Sequence, residues 1–232
     1  MARNNPKAVV IFSGGLDSTT VLYHAINQGY AIHALTFDYG QKHKIEIDHA
    51  REIISLNRNI IHTIIQLNTK LFLSSALTGH GTIPKNRQNI NEYNIPVTYV
   101  PARNLIFLSI AVGYAESHNI NDIFIGVNSQ DYSGYPDCRD DFISSFEKTA
   151  NLATKSGREG STINIKTPLS KLDKKDIIIF GKNLGVPYNL TWSCYDPIVD
   201  NRGIYHPCMD CDSCILRENG FNNAGITDTI HV

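Results

Sequence analysis

Three things are scarce in this 232-residue chain: long apolar runs, excess charge of one sign, and cysteine outside one short stretch. The strongest apolar runs, residues 8–12 and 177–180, fall far short of the ~20 residues that span a bilayer. No membrane association is expected. Lys7 precedes only five apolar residues before Ser13, whereas a secretory apolar region needs ~7–15. No signal segment is therefore expected. Lys and Arg number 21 against 22 Asp and Glu, a formal net charge of −1 with no basic block. That balance argues against a broad face for nucleic acid, while leaving room for a local basic patch. Near-neutral charge with 42% hydrophobic residues also excludes a disordered chain.

The cysteines are Cys138, Cys194, Cys208, Cys211 and Cys214. An odd number with four close together is no disulfide framework. It reads as a metal site in a reduced compartment, the cytoplasm.

Residues 8–12 form a short run without alternation, as a strand buried on both faces does. After a glycine turn, Val21, Leu22, Ala25 and Ile26 recur at helical spacing, and Gly29 follows as a helix stop. Residues 31–37 and 60–67 read as strands. Residues 45–56 between them read as a helix with Ile45, His49, Ile53 and Leu56 near one face. This β-α-β-α-β order predicts a doubly wound, mainly parallel, five-stranded α/β sheet with helices on both faces. A helix over 104–116 is expected to present Leu105, Leu108, Val112 and Ala115. Then come a strand over 123–127, a helix over 142–152 and a short strand over 163–166. Ser170 and Asp173 resemble a capping pair that starts a further helix, ended by Gly185-Val186-Pro187. The α/β part is expected over residues 1–187, with an insertion or lid at about 68–100. Residues 188–232 read as a metal-binding loop segment packed on it.

Ser13-Gly14-Gly15-Leu16-Asp17-Ser18 lies between the first strand and first helix. Two glycines let the backbone turn sharply and approach an anion. The N–H groups of the helix start, and its dipole, then favour negative charge there. Ser13 and Ser18 add hydroxyls. Asp17 is placed to cap the helix and to hold Mg²⁺ on a phosphate. No Gly-Lys-Ser/Thr follows, so this is not a Walker loop.

Cys208, Cys211 and Cys214 form a C-x₂-C-x₂-C run, with Cys194 upstream. Four thiolates around one Zn²⁺ make a closed, structural shell. His206 in place of Cys194, or an iron–sulfur cluster, are the alternatives. Thirteen residues separate Cys194 from Cys208, a long spacing for such a clip. The added stretch, residues 197–205, reads as a longer loop. Cys138 is left over as a buried or loop thiol.

Ligands of open α/β sheets bind beyond the carboxyl ends of the strands. The loops there include residues 38–41, 68–103 and 128–139. The last carries Asp131, Tyr132, Tyr135, Asp137 and Arg139. Tyrosines stack on a flat heterocycle, a carboxylate accepts a pair of N–H bonds, and an arginine grips a carboxylate.

The glycine turn resembles that of the ATP-pyrophosphatase superfamily, whose members activate a substrate oxygen with ATP. Phe-Asp-Tyr-Gly-Gln (37–41), Val-Pro-Ala-Arg-Asn (100–104), Asp131 to Arg139, Thr-Pro-Leu (167–169), Leu-Asp-Lys (172–174), Thr-Trp-Ser-Cys-Tyr (191–195) and the cysteines with Leu216-Arg217 and Gly220-Phe221 go further. Across the whole chain they resemble the 7-cyano-7-deazaguanine synthases of queuosine biosynthesis. The resemblance implies ATP, Mg²⁺ and one structural zinc ion, with 7-carboxy-7-deazaguanine and ammonia as substrates. The carboxylate is activated and converted to an amide, which is dehydrated to the nitrile. Ser13 to Ser18 are then expected on the phosphates, and Asp17, Arg103 and Lys174 at the reacting centre, with Arg139 a further cationic candidate. Asp131 or Asp137 is expected to read the guanine edge. AMP with pyrophosphate and ADP with phosphate both remain open as products. No direct nucleic-acid partner is expected, and a homodimer is. Rivals on this fold are a tRNA-thiolating or other adenylating enzyme, with Cys138 as a catalytic thiol, and a non-catalytic nucleotide sensor.

Overall fold

The computed structural model describes residues 5–41, 44–79, 81–87, 95–129 and 134–230. Its main sheet has five strands, all parallel, in the order β3-β2-β1-β4-β5. They are β1 (Lys7–Ile11), β2 (Ala31–Asp38), β3 (Ile61–Gln66), β4 (Asp122–Phe124) and β5 (Asn164–Lys166). Successive residues of β1 point to opposite faces. Val9 and Ile11 join Leu35, Phe107, Leu108, Ala111 and Ile123 in one buried layer. Ala8, Val10 and Phe12 join Leu22, Ala34, Ile53, Ile177 and Ile178 in the other. Both faces of β1 are dry, which is why its sequence shows no alternation.

Helices α1 (Leu16–Asn27), α2 (Ile45–Ser55) and α5 (Lys174–Asn183) cover the second layer, and α3 (Arg103–Ser117) and α4 (Asp140–Ala153) the first. Gly29, with φ +84°, ends α1 as expected. The α2 face is rotated from the sequence reading: Leu56 is exposed, while Ile47, Ala50, Ile53 and Ile54 are buried. On α3 the expected Leu108, Val112 and Ala115 are buried, joined by Phe107 and Ala111, and of the four expected residues Leu105 alone is exposed. The parallel sheet decides this, because it lies against a wider stripe than the spacing of four residues reveals. The expected fourth strand is shorter than read. The Ile125 N–H makes a last bond to the Lys166 carbonyl of β5 at 3.0 Å, and the chain then runs through Gly126 and Val127 into the site. Ser170 does not cap α5. Asp173 does, accepting the Asp176 N–H at 2.9 Å.

The 68–100 insertion is more than a lid. Phe72, Ala76, Leu77, Ile83 and Val100 are buried in the first layer. The segment after residue 188 is likewise not all loop. It holds a hairpin, β6 (Ile198–Val199) with β7 (Tyr205–His206), and a helix, α6 (Asp212–Ala224), packed on α5. The polar composition of α6 hid it, since the face it buries is small and includes Gly220 and Arg217.

Candidate active site

Strand order reverses beside β1, between β2 and β4, and that switch point opens a crevice at the carboxyl ends of the strands. A cleft of about 260 Å³ lies there. Its walls include Ser13, Asp17, Tyr39, Glu46, Arg103 and Lys174.

The glycine turn forms because its neighbours leave no alternative. Gly14 has φ +84°, and a Cβ there would lie 2.7 Å from the Ala50 nitrogen and 2.8 Å from the Glu46 carbonyl oxygen. Only glycine fits. The Trp192 N–H donates to the Gly14 carbonyl at 3.0 Å, fixing the turn from the far side. The Ser13 hydroxyl accepts the Gly15 N–H at 3.2 Å and lies 3.0 Å from the Ser18 hydroxyl. Gly15 is the N-cap of α1 and supplies no capping side chain. The first N–H groups of α1 thus keep the orphan donors of a helix start, beside the cleft.

Asp17 does not cap α1, as the sequence suggested. Its carboxylate accepts Lys174 Nζ at 2.8 and 2.7 Å and Asn128 Nδ2 at 3.1 Å. Lys174 starts α5, so the pair joins two helix N-termini at the cleft floor, a region of shared positive potential. Arg103 starts α3 behind Ala102, a left-handed residue with φ +55°. Burial works against the Arg103 charge, while Tyr39, Cys138 and Tyr135 hold it protonated above its ordinary range. Cys138 lines the cleft as a buried thiol and accepts Asn104 Nδ2 at 3.1 Å.

The substrate-loop residues divide. Asp131 and Tyr132 lie outside the described residues. Asp137 is buried, and one of its oxygens accepts the Asn104 N–H at 2.8 Å, tying the loop to the start of α3. Tyr135 bonds the Thr98 hydroxyl at 3.3 Å and sits 6.0 Å from Tyr99. Arg139 is the N-cap of α4. None of these three lines the cleft. Glu46 and Trp192 do line it, and sequence reasoning missed both. Glu46 is marked only by being the second residue of α2, and its enclosure depends on how α2 leans on Gly14.

Behind the glycine turn, Cys194, Cys208, Cys211 and Cys214 bring their sulfurs within 4.8 Å of one another. His206 is no alternative to Cys194: it is exposed and pairs with Asp200 at 3.3 Å. The stretch after Cys194 is the β6–β7 hairpin rather than a plain loop. The Cys208 N–H points at the Cys194 sulfur at 3.2 Å, the Asp196 N–H at 3.4 Å. Crowding splits the acidities. Cys211 is driven down by hydrogen bonds from Cys194 and Cys214, whereas sharing with Cys211 pushes Cys194 up. A metal ion relieves that conflict by taking all four as thiolates.

Sheet order, glycine turn and the Asp17–Lys174 pair define a doubly wound α/β protein of the pyrophosphate-loop class. Two solved structures share the fold. One is the NMN synthetase of Francisella tularensis (TM-score 0.51, 20% identity, covering 97% of this chain and 79% of that one). The other is a 4-thiouridine synthetase in an RNA complex with bound ATP (TM-score 0.51, 18% identity, 95% and 50%). Within that class the chain belongs to the family described as queuosine biosynthesis protein QueC, whose model matches residues 7–225. It is 50% identical over 226 residues to the 7-cyano-7-deazaguanine synthase of Leptospira interrogans, covering 97% of this chain and 90% of that protein. It is 51% identical over 221 residues to that of Magnetococcus marinus, covering 95% and 94%.

Proposed function

We propose that this chain is an ATP-dependent carbon–nitrogen ligase that converts 7-carboxy-7-deazaguanine and ammonia to 7-cyano-7-deazaguanine. The observation that carries the reading is the cleft in which a family-wide match and a phosphate-type loop coincide. There, orphan helix N–H groups, Lys174 and Arg103 converge on one chamber. Ser13, Gly14, Gly15, Leu16, Asp17 and Ser18 hold the phosphates. Lys174 and Arg103 offset the negative charge that develops as a substrate oxygen bonds to phosphorus. Asp17 is the residue that would hold Mg²⁺, which screens the phosphate charge when bound. Ammonia then forms the C–N bond as the activated oxygen leaves with its phosphate. A second activation, at the amide oxygen, lets that oxygen depart and leaves the nitrile.

Asp131, Tyr132, Tyr135, Asp137 and Arg139 belong to the loop expected around the deazaguanine. Because Asp137 already accepts the Asn104 N–H, Asp131 is the better candidate for the guanine edge. Four cysteine sulfurs suit Zn²⁺, since a tetrahedron with Zn–S bonds of about 2.3 Å needs sulfurs about as close as those seen. The ion's role is structural, because the four sulfurs fill a closed tetrahedral shell. Five free thiols support a reduced cytoplasmic setting. A homodimer is the commonest symmetric assembly.

Mass spectrometry tests the reading on purified protein with Mg-ATP, ammonium and 7-carboxy-7-deazaguanine. The nitrile should appear only when ATP and ammonium are both present. Unchanged carboxylate from a metal-loaded, ATP-binding sample overturns it.

A further inference from the structure

Among the described residues, two carboxylates line the cleft, Asp17 and Glu46. Asp17 is committed to Lys174 and Asn128. Glu46 makes no hydrogen bond and no ion pair to any described residue, although it faces Arg103 and Tyr39 across the chamber. Its backbone presses on the glycine turn, its carbonyl oxygen 2.8 Å from the place of a Gly14 Cβ. An uncommitted carboxylate beside a phosphate loop is costly, because burial favours its neutral form and a phosphate nearby repels it. It is useful to a small cation. An ionised carboxylate is acceptor-only and offers several lone pairs. Lys174 and Arg103 are needed for phosphate, and Asp17, already bonded to Lys174, is assigned to Mg²⁺, which leaves Glu46, among the described residues, as the cleft carboxylate placed to receive a positively charged co-substrate.

We infer that Glu46 is the ammonium subsite: its carboxylate binds ammonium and takes one proton from it, delivering ammonia to the activated carbon. This rests on the proposed function. The step balances. One proton passes from ammonium to Glu46. The nitrogen lone pair forms the C–N bond, and the acyl C–O bond breaks with its electron pair leaving on the phosphate. A second nitrogen proton goes to that departing oxygen, and Glu46 returns its proton to solvent. Burial pushes the Glu46 carboxyl up to about 7, with Arg103 acting in the opposite direction, and a base is most effective when its pKa is near the working pH.

The test compares ammonium with hydroxylamine, which is already neutral at about pH 7 and needs no base before it attacks. Wild-type protein should form the amide and nitrile from ammonium and the hydroxamate from hydroxylamine. Glu46→Gln should lose ~100-fold or more of the ammonium-supported rate and keep hydroxamate formation within a few-fold. Equal loss of both means that Glu46 serves activation or packing, and unchanged ammonium turnover means that it serves neither; each overturns the subsite. Absence of any product from the wild type instead overturns the proposed function, and the subsite with it.

Wild-type protein carries a second measurement that requires no variant to fold. Above about pH 7 the ratio of ammonium to hydroxylamine rates should be flat, and below it should fall. If free ammonia from solvent were used, the ratio would rise about tenfold per pH unit straight through pH 7, and that slope sinks the inference. Among the described residues, the charged and titratable groups that share the cleft with Glu46 are Arg103 from α3, Tyr39 just after β2 and the Asp17–Lys174 pair from α1 and α5. On α2 itself His49 turns to Trp192 and the Leu190 carbonyl, while Lys44 before it and Asp48 are exposed.

Discussion

At the scale of single residues, the site is a contest over one carboxylate. Asp17 accepts both short bonds from Lys174, and the pair is mostly shielded, the two side chains 23% and 13% exposed. The two bonds hold Lys174 Nζ at the cleft floor, where phosphate charge develops. Asp17→Asn keeps the shape and the Asn128 neighbour but removes the charge. Turnover should fall by ~10²–10³, while circular dichroism and metal content stay those of the wild type. Steady-state kinetics with ATP check this, and near-normal kcat would remove Asp17 from the phosphate machinery.

At the scale of elements, α6 bears on the site although none of its residues is expected to do chemistry. Gly220 of α6 packs against the stem of Lys174, and a Cβ there would lie 2.5 Å from Lys174 Cγ and 2.8 Å from Ile178 Cδ1. Gly220→Ala must push Lys174 off Asp17 or move α6 away. Overpacking of this kind costs ~1–3 kcal/mol, so thermal unfolding should come earlier and kcat should fall more than the stability loss explains. Gly113→Ala is the control. It lies exposed in α3 with open space at its Cβ, and the swap should stabilise by about 0.5–1 kcal/mol. Equal behaviour of the two variants contradicts the packing argument. This coupling also marks where the sequence stops being legible. The glycine turn, the cysteine spacing and the order of the first three strands are local patterns, and each reads correctly because local geometry decides it. The enclosure of Glu46 by Gly14 and Arg103, the reach of Lys174 to Asp17 across 157 positions and the helix at Asp212–Ala224 depend on contacts between residues distant in sequence or on a face too polar to show periodicity. Asp137 shows the converse: a residue chosen for its chemistry has an oxygen occupied by a helix start.

At the scale of the whole molecule, the cysteine clip joins two parts of the cleft that are distant in sequence. On one side it continues through Ser193 to Trp192, whose N–H holds the Gly14 carbonyl at 3.0 Å. On the other it docks the 68–100 insertion. Lys85 Nζ lies 2.6 Å from Asp210 and 2.9 Å from Asp196, the Asn86 N–H donates to the Asp210 carbonyl at 2.7 Å, and Arg87 grips Asp212 with bonds of 3.0 and 2.7 Å. Metal loss should therefore act on both arms, and loss of the Arg87 pair on one. Treatment with a strong chelator should release one zinc ion per chain, lower Tm and abolish turnover together, because ligand binding free energy is part of the folding free energy. Arg87→Ala should keep the metal but lower Tm, since it leaves the buried Asp212 carboxylate without the partner that gives it two bonds, and should raise KM several-fold as the insertion loses its mooring. Metal analysis, calorimetry and kinetics on the same samples separate the two. A chelated chain that keeps full turnover would cut the clip out of the active site, and an Arg87 variant that sheds its metal would show that the insertion holds the clip rather than the clip the insertion.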